Sequence, residues 1–123
     1  MSILTAAQYR ETAKQHKPSK YRNTRVEYQG KTFDSKGELA RWCQLQLLEK
    51  AGEIGGLERQ RRFPILGPKG ELICVYVADM TYWCHKRDRF VVEDFKGIET
   101  REFKLKKRLM RIFNNIEITV VRK

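Results

Sequence analysis

The longest unbroken apolar run in this chain, Leu72 to Ala78, ends on an acid, Asp79. It is far short of the ~20 residues that span a bilayer. Its content of Ile, Val and Tyr reads as the start of a long strand over residues 72–84, apolar on both faces at first and so expected in the middle of a sheet. A chain of 123 residues is one ordinary domain, so the remaining segments must build that sheet and cover it.

Turns and caps divide the rest. Gly67-Pro68-Lys69-Gly70 is a strong turn. Before it, a strand lies within residues 54–66, interrupted by Gly55-Gly56 and Pro64 as suits a bent or edge strand. Residues 85–88 make a second turn, and Phe90 to Lys96 is a third strand ended by Gly97. A helix precedes these strands: Ser35 and Glu38 have capping-box spacing, and Gly52 follows Ala51 as a stop. Its apolar residues fall on two faces, Ala40, Cys43, Leu47 and Ala51 on one and Trp42 and Leu45 on another, which predicts substantial burial. Thr100 caps a second helix to about Phe113, with Leu105, Leu109, Ile112 and Phe113 on one face. Asn114-Asn115 turns the chain into a last strand over residues 116–121. Before the first helix, Gln29-Gly30 between two short β segments predicts a small hairpin.

Lys and Arg number 26 against 15 acids, a net charge of +11. Such an excess repels itself in the folded state and suits a polyanionic partner. Nucleic acid leads, because each phosphate contact releases condensed counterions. A membrane surface fits less well, since no helix combines a basic face with bulky aromatic anchors. Residues 1–24 read as a basic arm ahead of a single domain over residues 25–123. Cys43, Cys74 and Cys84 cannot all pair in one chain and form no Cys-x-x-Cys unit, which argues against zinc and for a reducing, cytoplasmic setting. No charged-then-apolar pattern of a secretory signal opens the chain.

The chemistry concentrates in Val92-Glu93-Asp94-Phe95-Lys96. Strand alternation puts Asp94 and Lys96 on one face, about 7 Å apart, and Glu93 on the other. If the strands on either side of the residue 85–88 turn form a hairpin, Asp79 lies beside Asp94. Two converging carboxylates are hard oxygen ligands suited to Mg²⁺, with Lys96 beside them as a point charge. Glu38 has a capping role available, but it also falls on the Trp42–Leu45 side of its helix, where a carboxylate needs a partner.

With these residues in place the sequence resembles the PD-(D/E)XK nuclease superfamily. Asp94-Phe95-Lys96 matches its acid-x-Lys element, Ala78-Asp79 stands where the family has Pro-Asp, and Glu38 corresponds to its helical Glu. The stretches from Phe33 to Ile54, Tyr76 to Asp79 and Val91 to Gly97 look like a group of small phage and prophage proteins placed in that superfamily. The resemblance covers about residues 20 to 121. It implies an α/β (α+β) fold with a restriction-endonuclease-like core, helix–three strands–helix–strand, its mixed central sheet flanked by helices. It implies a Mg²⁺- or Mn²⁺-dependent DNA endonuclease in a phage-infected or lysogenic host, with branched or junction DNA as the expected substrate. Asp79, Asp94, the Phe95 carbonyl and Glu38 would hold the metal, which lowers the pKa of a bound water and offsets transition-state charge. Lys96 would orient the attacking water or stabilise developing charge. Resolving a junction takes two sites and so a homodimer.

DNA binding is expected from Lys36, Arg59, Arg61, Arg62 and a single-signed stripe on the second helix, Lys104, Lys107, Arg108 and Arg111, spaced i, i+3, i+4, i+7. Trp83 and Tyr82 are candidates for base stacking, and Gln60 for facing the site. The competing expectation is a non-catalytic DNA-binding module with a nuclease-like fold, which explains the charge but leaves Asp79 and Asp94 repelling phosphate.

Overall fold

The computed structural model of the protein describes residues 25–122; the arm expected over residues 1–24 lies outside them. Ser35 sets the first boundary. From extended backbone its Oγ accepts the Glu38 amide at 3.1 Å, satisfying one of the free amides of a helix start. A short hairpin, β1 (Val26–Tyr28) and β2 (Lys31–Phe33), thereby passes into α1 (Lys36–Lys50). The helix stops as expected: Gly52 takes φ +79, its amide returns to the Glu49 carbonyl, and the Glu53 amide reaches the Leu48 carbonyl. These are the two bonds of a Schellman cap.

Two of the expected strands each divide. Residues 54–66 form β3 (Ile54–Arg59) and β4 (Arg62–Leu66), and residues 72–84 form β5 (Leu72–Val77) and β6 (Met80–Cys84). β3 pairs antiparallel with β6, and β4 with β5, so the four are one long two-stranded ribbon. It bends where Gln60 takes φ +52, opposite Ala78-Asp79. Hydrogen bonds carry through the bend, from Gln60 N–H to the Asp79 carbonyl at 3.1 Å and from Ala78 N–H to the Arg61 carbonyl at 3.0 Å. On one side of the bend β6 pairs with β7 (Arg89–Lys96), and β7 pairs in parallel with β8 (Ile118–Arg122), giving a mixed sheet of order β3-β6-β7-β8. The crossover to the parallel strand is α2 (Arg101–Asn114). Thr100 caps it, and Asn115 ends it at φ +53.

The apolar run that opens β5 is therefore not central. It pairs with β4 alone, outside the main sheet. Tyr76 and Ala78 turn inward while Leu72, Ile73 and Val77 are exposed, because a hairpin lying over the sheet buries only one face.

Each face of the sheet has its own core. On one, Phe33, Trp42 and Leu45 of β2 and α1 pack on Ile54, Met80, Tyr82 and Val91. On the other, Phe103 and Met110 of α2, with Phe63, Ile65 and Tyr76 of the β4–β5 hairpin, pack on Val92 and Ile118. Each fully covered Leu, Ile or Met contributes roughly 1.5–3 kcal/mol. The helices bury less than their sequences suggest. Only the Trp42–Leu45 side of α1 is covered; Ala40, Leu47 and Ala51 face outward, since the helix is an outer layer with one sheet beneath it. In α2 it is Phe103 and Met110 that face the sheet, while Leu105 and Ile112 are more than half exposed. All three cysteines are free thiols. Among the described residues no helix is long and apolar enough to cross a membrane.

Candidate active site

The bend in the ribbon creates the site. Where β5 turns away, the strand beside β7 loses its continuation, and Asp79 fills the gap: its Oδ2 accepts the backbone N–H of Phe95 at 2.8 Å. Asp94 and Lys96 project from the α2-side face of β7, as alternation requires. Asp94 is only 2% exposed; its Oδ2 accepts the Tyr76 hydroxyl, and its Oδ1 lies 3.1 Å from Lys96 Nζ. The Lys96 ammonium also sits 4.9 Å from the Phe103 ring centroid. Glu93 points through the opposite face, where Arg41 of α1 grips it with Nε at 2.8 Å and a terminal nitrogen at 2.7 Å, and Tyr82 donates to it.

Glu38 comes to the same place from α1. Its carboxylate accepts the Asp34 amide at 3.3 Å and lies 3.9 Å from Arg59. The helix start approaches this closely because residue 37 is glycine: a Cβ there would stand 2.5 Å from the tip of the Phe95 ring. Three carboxyl groups thus share one buried region, and their electrostatics follow. Asp79 is pushed up to about 8, first by burial, then by the charge of Asp94 and a hydrogen bond to it, with Glu38 adding to the rise and the Phe95 amide opposing it. Glu38 is raised as well, by burial and then by Asp34, against the pull of the Asp34 amide and Arg59. Burial, followed by the charge of Asp94, holds the Tyr76 hydroxyl in its protonated, donating form.

Among the described residues no three Asp, Glu, His or Cys side chains converge as a closed ligand set. Within the cluster, Asp79 and Asp94 are the pair that could hold a hard divalent cation. Asp79 and Asp94 offer oxygens side by side. Asp94 Oδ1 is buried without a hydrogen bond, its approach to Lys96 falling outside hydrogen-bonding geometry. Burial and the neighbouring charge of Asp94 keep the proton on Asp79, and a cation at the pair would offset that charge. A cavity of about 240 Å³ opens beside the cluster, lined by Tyr76, Asp94, Lys96, Thr100, Phe103 and Lys106.

The basic residues expected to bind phosphate divide by location. Lys36, Arg61 and Arg62 are exposed. Arg59 is not: its side chain is 11% exposed, donates to the Thr32 carbonyl at 2.8 Å and stacks 4.0 Å from the Phe33 ring centroid, so it serves the acidic cluster from inside. Lys104, Lys107, Arg108 and Arg111 line a groove of about 360 Å³ with Glu99 and Glu117, on a different side of α2 from the site cavity; Lys107 lies 3.7 Å from Glu99. Gln60 sits in the bend, bonded through its backbone to Asp79. Tyr82 is buried, whereas Trp83 is exposed. Sequence reasoning missed Tyr76, Lys106 and the inward role of Arg59. Only Tyr76 carried a signal, since a tyrosine inside a buried run needs an acceptor for its hydroxyl.

A family model described as "Protein of unknown function (DUF1064)" matches residues 18–123. No curated protein and no solved structure matches the chain.

Proposed function

The chain belongs to the DUF1064 family, whose description assigns no activity, and we propose from the acidic cluster that it is a metal-dependent deoxyribonuclease of PD-(D/E)XK type. The observation that carries this is the meeting of Asp79, Asp94 and Glu38 at a break in the sheet, with Lys96 3.1 Å from Asp94. The arrangement of α1, β3, β6, β7, α2 and β8 is in keeping with the restriction-endonuclease-like core that the sequence resemblance implies. In this reading Asp79, Asp94 and the Phe95 carbonyl would hold Mg²⁺ or Mn²⁺, with Glu38 contributing directly or through water. A bound ion would supply Lewis-acid polarisation of the phosphate and activation of water. The chain's own residues do the rest. The Phe95 amide orients Asp79, and the Tyr76 hydroxyl orients Asp94. Lys96, 3.1 Å from Asp94, would present its ammonium to the attacking water or a phosphate oxygen.

The test is cleavage of linear, single-stranded, flapped and four-way-junction DNA with Mg²⁺, with Mn²⁺ and with EDTA. Cleavage should require the metal and vanish in Asp79→Ala and in Asp94→Ala. Lys96→Met should slow it about 10²–10³-fold, the usual loss on removing one preorganised charge donor. Cleavage surviving the double aspartate variant would sink the assignment. The competing reading, a DNA-binding module without catalysis, draws on the fact that Tyr76 and Lys96 already occupy Asp94. It predicts tight binding with no product from any substrate, and a junction-resolving homodimer would add a two-fold species in sedimentation.

A further inference from the structure

The site leaves one surface of the same sheet face unexplained. Trp83 of β6 and Phe90 of β7 are direct cross-strand partners, and both are exposed, at 40% and 37%. Their chain neighbours Tyr82 and Val91 are buried on the other face. A cross-strand aromatic pair gains roughly 0.2–1 kcal/mol from its own contact, which does not account for leaving two large rings partly exposed on a face where α2 and the β4–β5 hairpin bury Val92 and Ile118. The Arg61 guanidinium lies 5.2 Å from the Phe90 ring centroid and the same distance from Phe63. The turn joining the two strands carries Lys86 and Arg87 against one acid, Asp88, and leads into Arg89. Phe90 also walls a cavity of about 450 Å³, with Asn115, Glu117 and Thr119 at its sides.

We propose that Trp83 and Phe90, with Arg61, form a stacking platform for the unpaired bases of a DNA strand that runs to the acidic cluster. Flat apolar rings interleaved with cations are what single strands bind, because every base has a π-face and every linkage a negative charge. A second copy of this chain, at +11, would bring more cations to a surface already rimmed by them. Phe90 stands four residues from Asp94 on β7, about 13 Å at strand rise, the length of about four stacked nucleotides. Arg61 links the two ends: its carbonyl accepts the Ala78 amide beside Asp79 while its guanidinium reaches Phe90. This rests on the nuclease reading and sharpens it, making the substrate DNA with an unpaired segment, such as a flap or a branch.

The experiment reads binding in EDTA, so that it does not depend on cleavage. An oligothymidylate, an abasic chain of equal length and a duplex are titrated against tryptophan emission and by anisotropy. The oligothymidylate should quench emission and bind more tightly than the abasic chain. Trp83→Ala and Phe90→Ala should each weaken it by roughly 5- to 150-fold, while Trp83→Phe retains most of the affinity and duplex binding barely moves. Equal affinity for thymidylate and abasic chains would overturn the proposal, whatever the alanine variants do. So would sedimentation showing a DNA-free dimer that Trp83→Ala dissolves, which assigns the rings to a second copy. Base-dependent binding without cleavage in Mg²⁺ would retain the platform and remove the nuclease reading.

Discussion

Held protonated up to about pH 8 by burial and by Asp94, Asp79 makes folding itself depend on pH. In the unfolded chain its carboxyl ionises near 3.8; in the folded protein it keeps its proton across the intervening range. Its contribution to stability is therefore fully present below about pH 4 and is lost as pH rises through about 8. Thermal unfolding in EDTA should show a melting temperature that falls between pH 5 and 9. Asp79→Asn should flatten that fall and raise the melting temperature at pH 8.5 by about 3–6 °C, the equivalent of roughly 1 kcal/mol in a domain of this size. A wild-type curve flat across this range would show that Asp79 ionises freely in the fold. At this scale the sequence was informative where strand alternation alone decides. Asp94 and Lys96 fall on one face and Glu93 on the other by counting residues. Arg41 against Glu93, Arg59 against Glu38 and Tyr76 against Asp94 join residues far apart in the chain, and nothing local encodes them.

Among the elements, the start of α1 is the joint on which the site depends. Gly37 lies in its first turn, where alanine would ordinarily gain about 1 kcal/mol from helix propensity. Here the added Cβ meets the Phe95 ring at 2.5 and 2.8 Å, so the ring or the helix must shift. Gly37→Ala should cost about 1–3 kcal/mol, seen as a lower denaturant midpoint, and should slow cleavage by drawing Glu38 away. Adding Phe95→Leu, which removes the tip of the ring, should restore much of both. A Gly37→Ala protein as stable as wild type would mean that α1 does not sit this close to β7. The caps of this helix were readable because they are local chemistry: Ser35 takes an amide three residues on, and Gly52 supplies a left-handed φ. The bend that opens the site was not readable. It needs positive φ at Gln60, a residue type with no special claim to that conformation, whereas Gly55-Gly56 and Pro64, the evident breakers, lie within β3 and β4. The continuous apolar run from Leu72 was misleading for a related reason, since its burial depends on which hairpin face meets α2.

For the molecule as a whole, the question is which face the +11 charge presents to DNA. The site cavity is close to balanced, Lys96 and Lys106 standing against Asp94 and Glu102; Lys106 lies 3.2 Å from Glu102. The groove beside α2 sets Lys104, Lys107, Arg108 and Arg111 against Glu99 and Glu117, and Glu99 is shared by Lys107 and Arg122. Lys104, Arg108 and Arg111 are the members of the stripe for which no acid lies within ion-pair distance among the described residues. They have the most to gain from phosphate. Each phosphate neutralised on duplex DNA steepens the fall of log affinity with log salt by about 0.9. Arg108→Ala with Arg111→Ala should therefore flatten that slope by nearly two when duplex binding is measured from 50 to 200 mM salt in EDTA. Lys107→Ala alone should flatten it by less than either arginine, because Glu99 already claims part of its charge. The groove and the cavity lie on different sides of α2, so cleavage at saturating DNA should be nearly unchanged in the double arginine variant. An unaltered slope would take the α2 groove out of the interface and leave Lys36, Arg61, Arg62 and the β6–β7 turn to carry the phosphates.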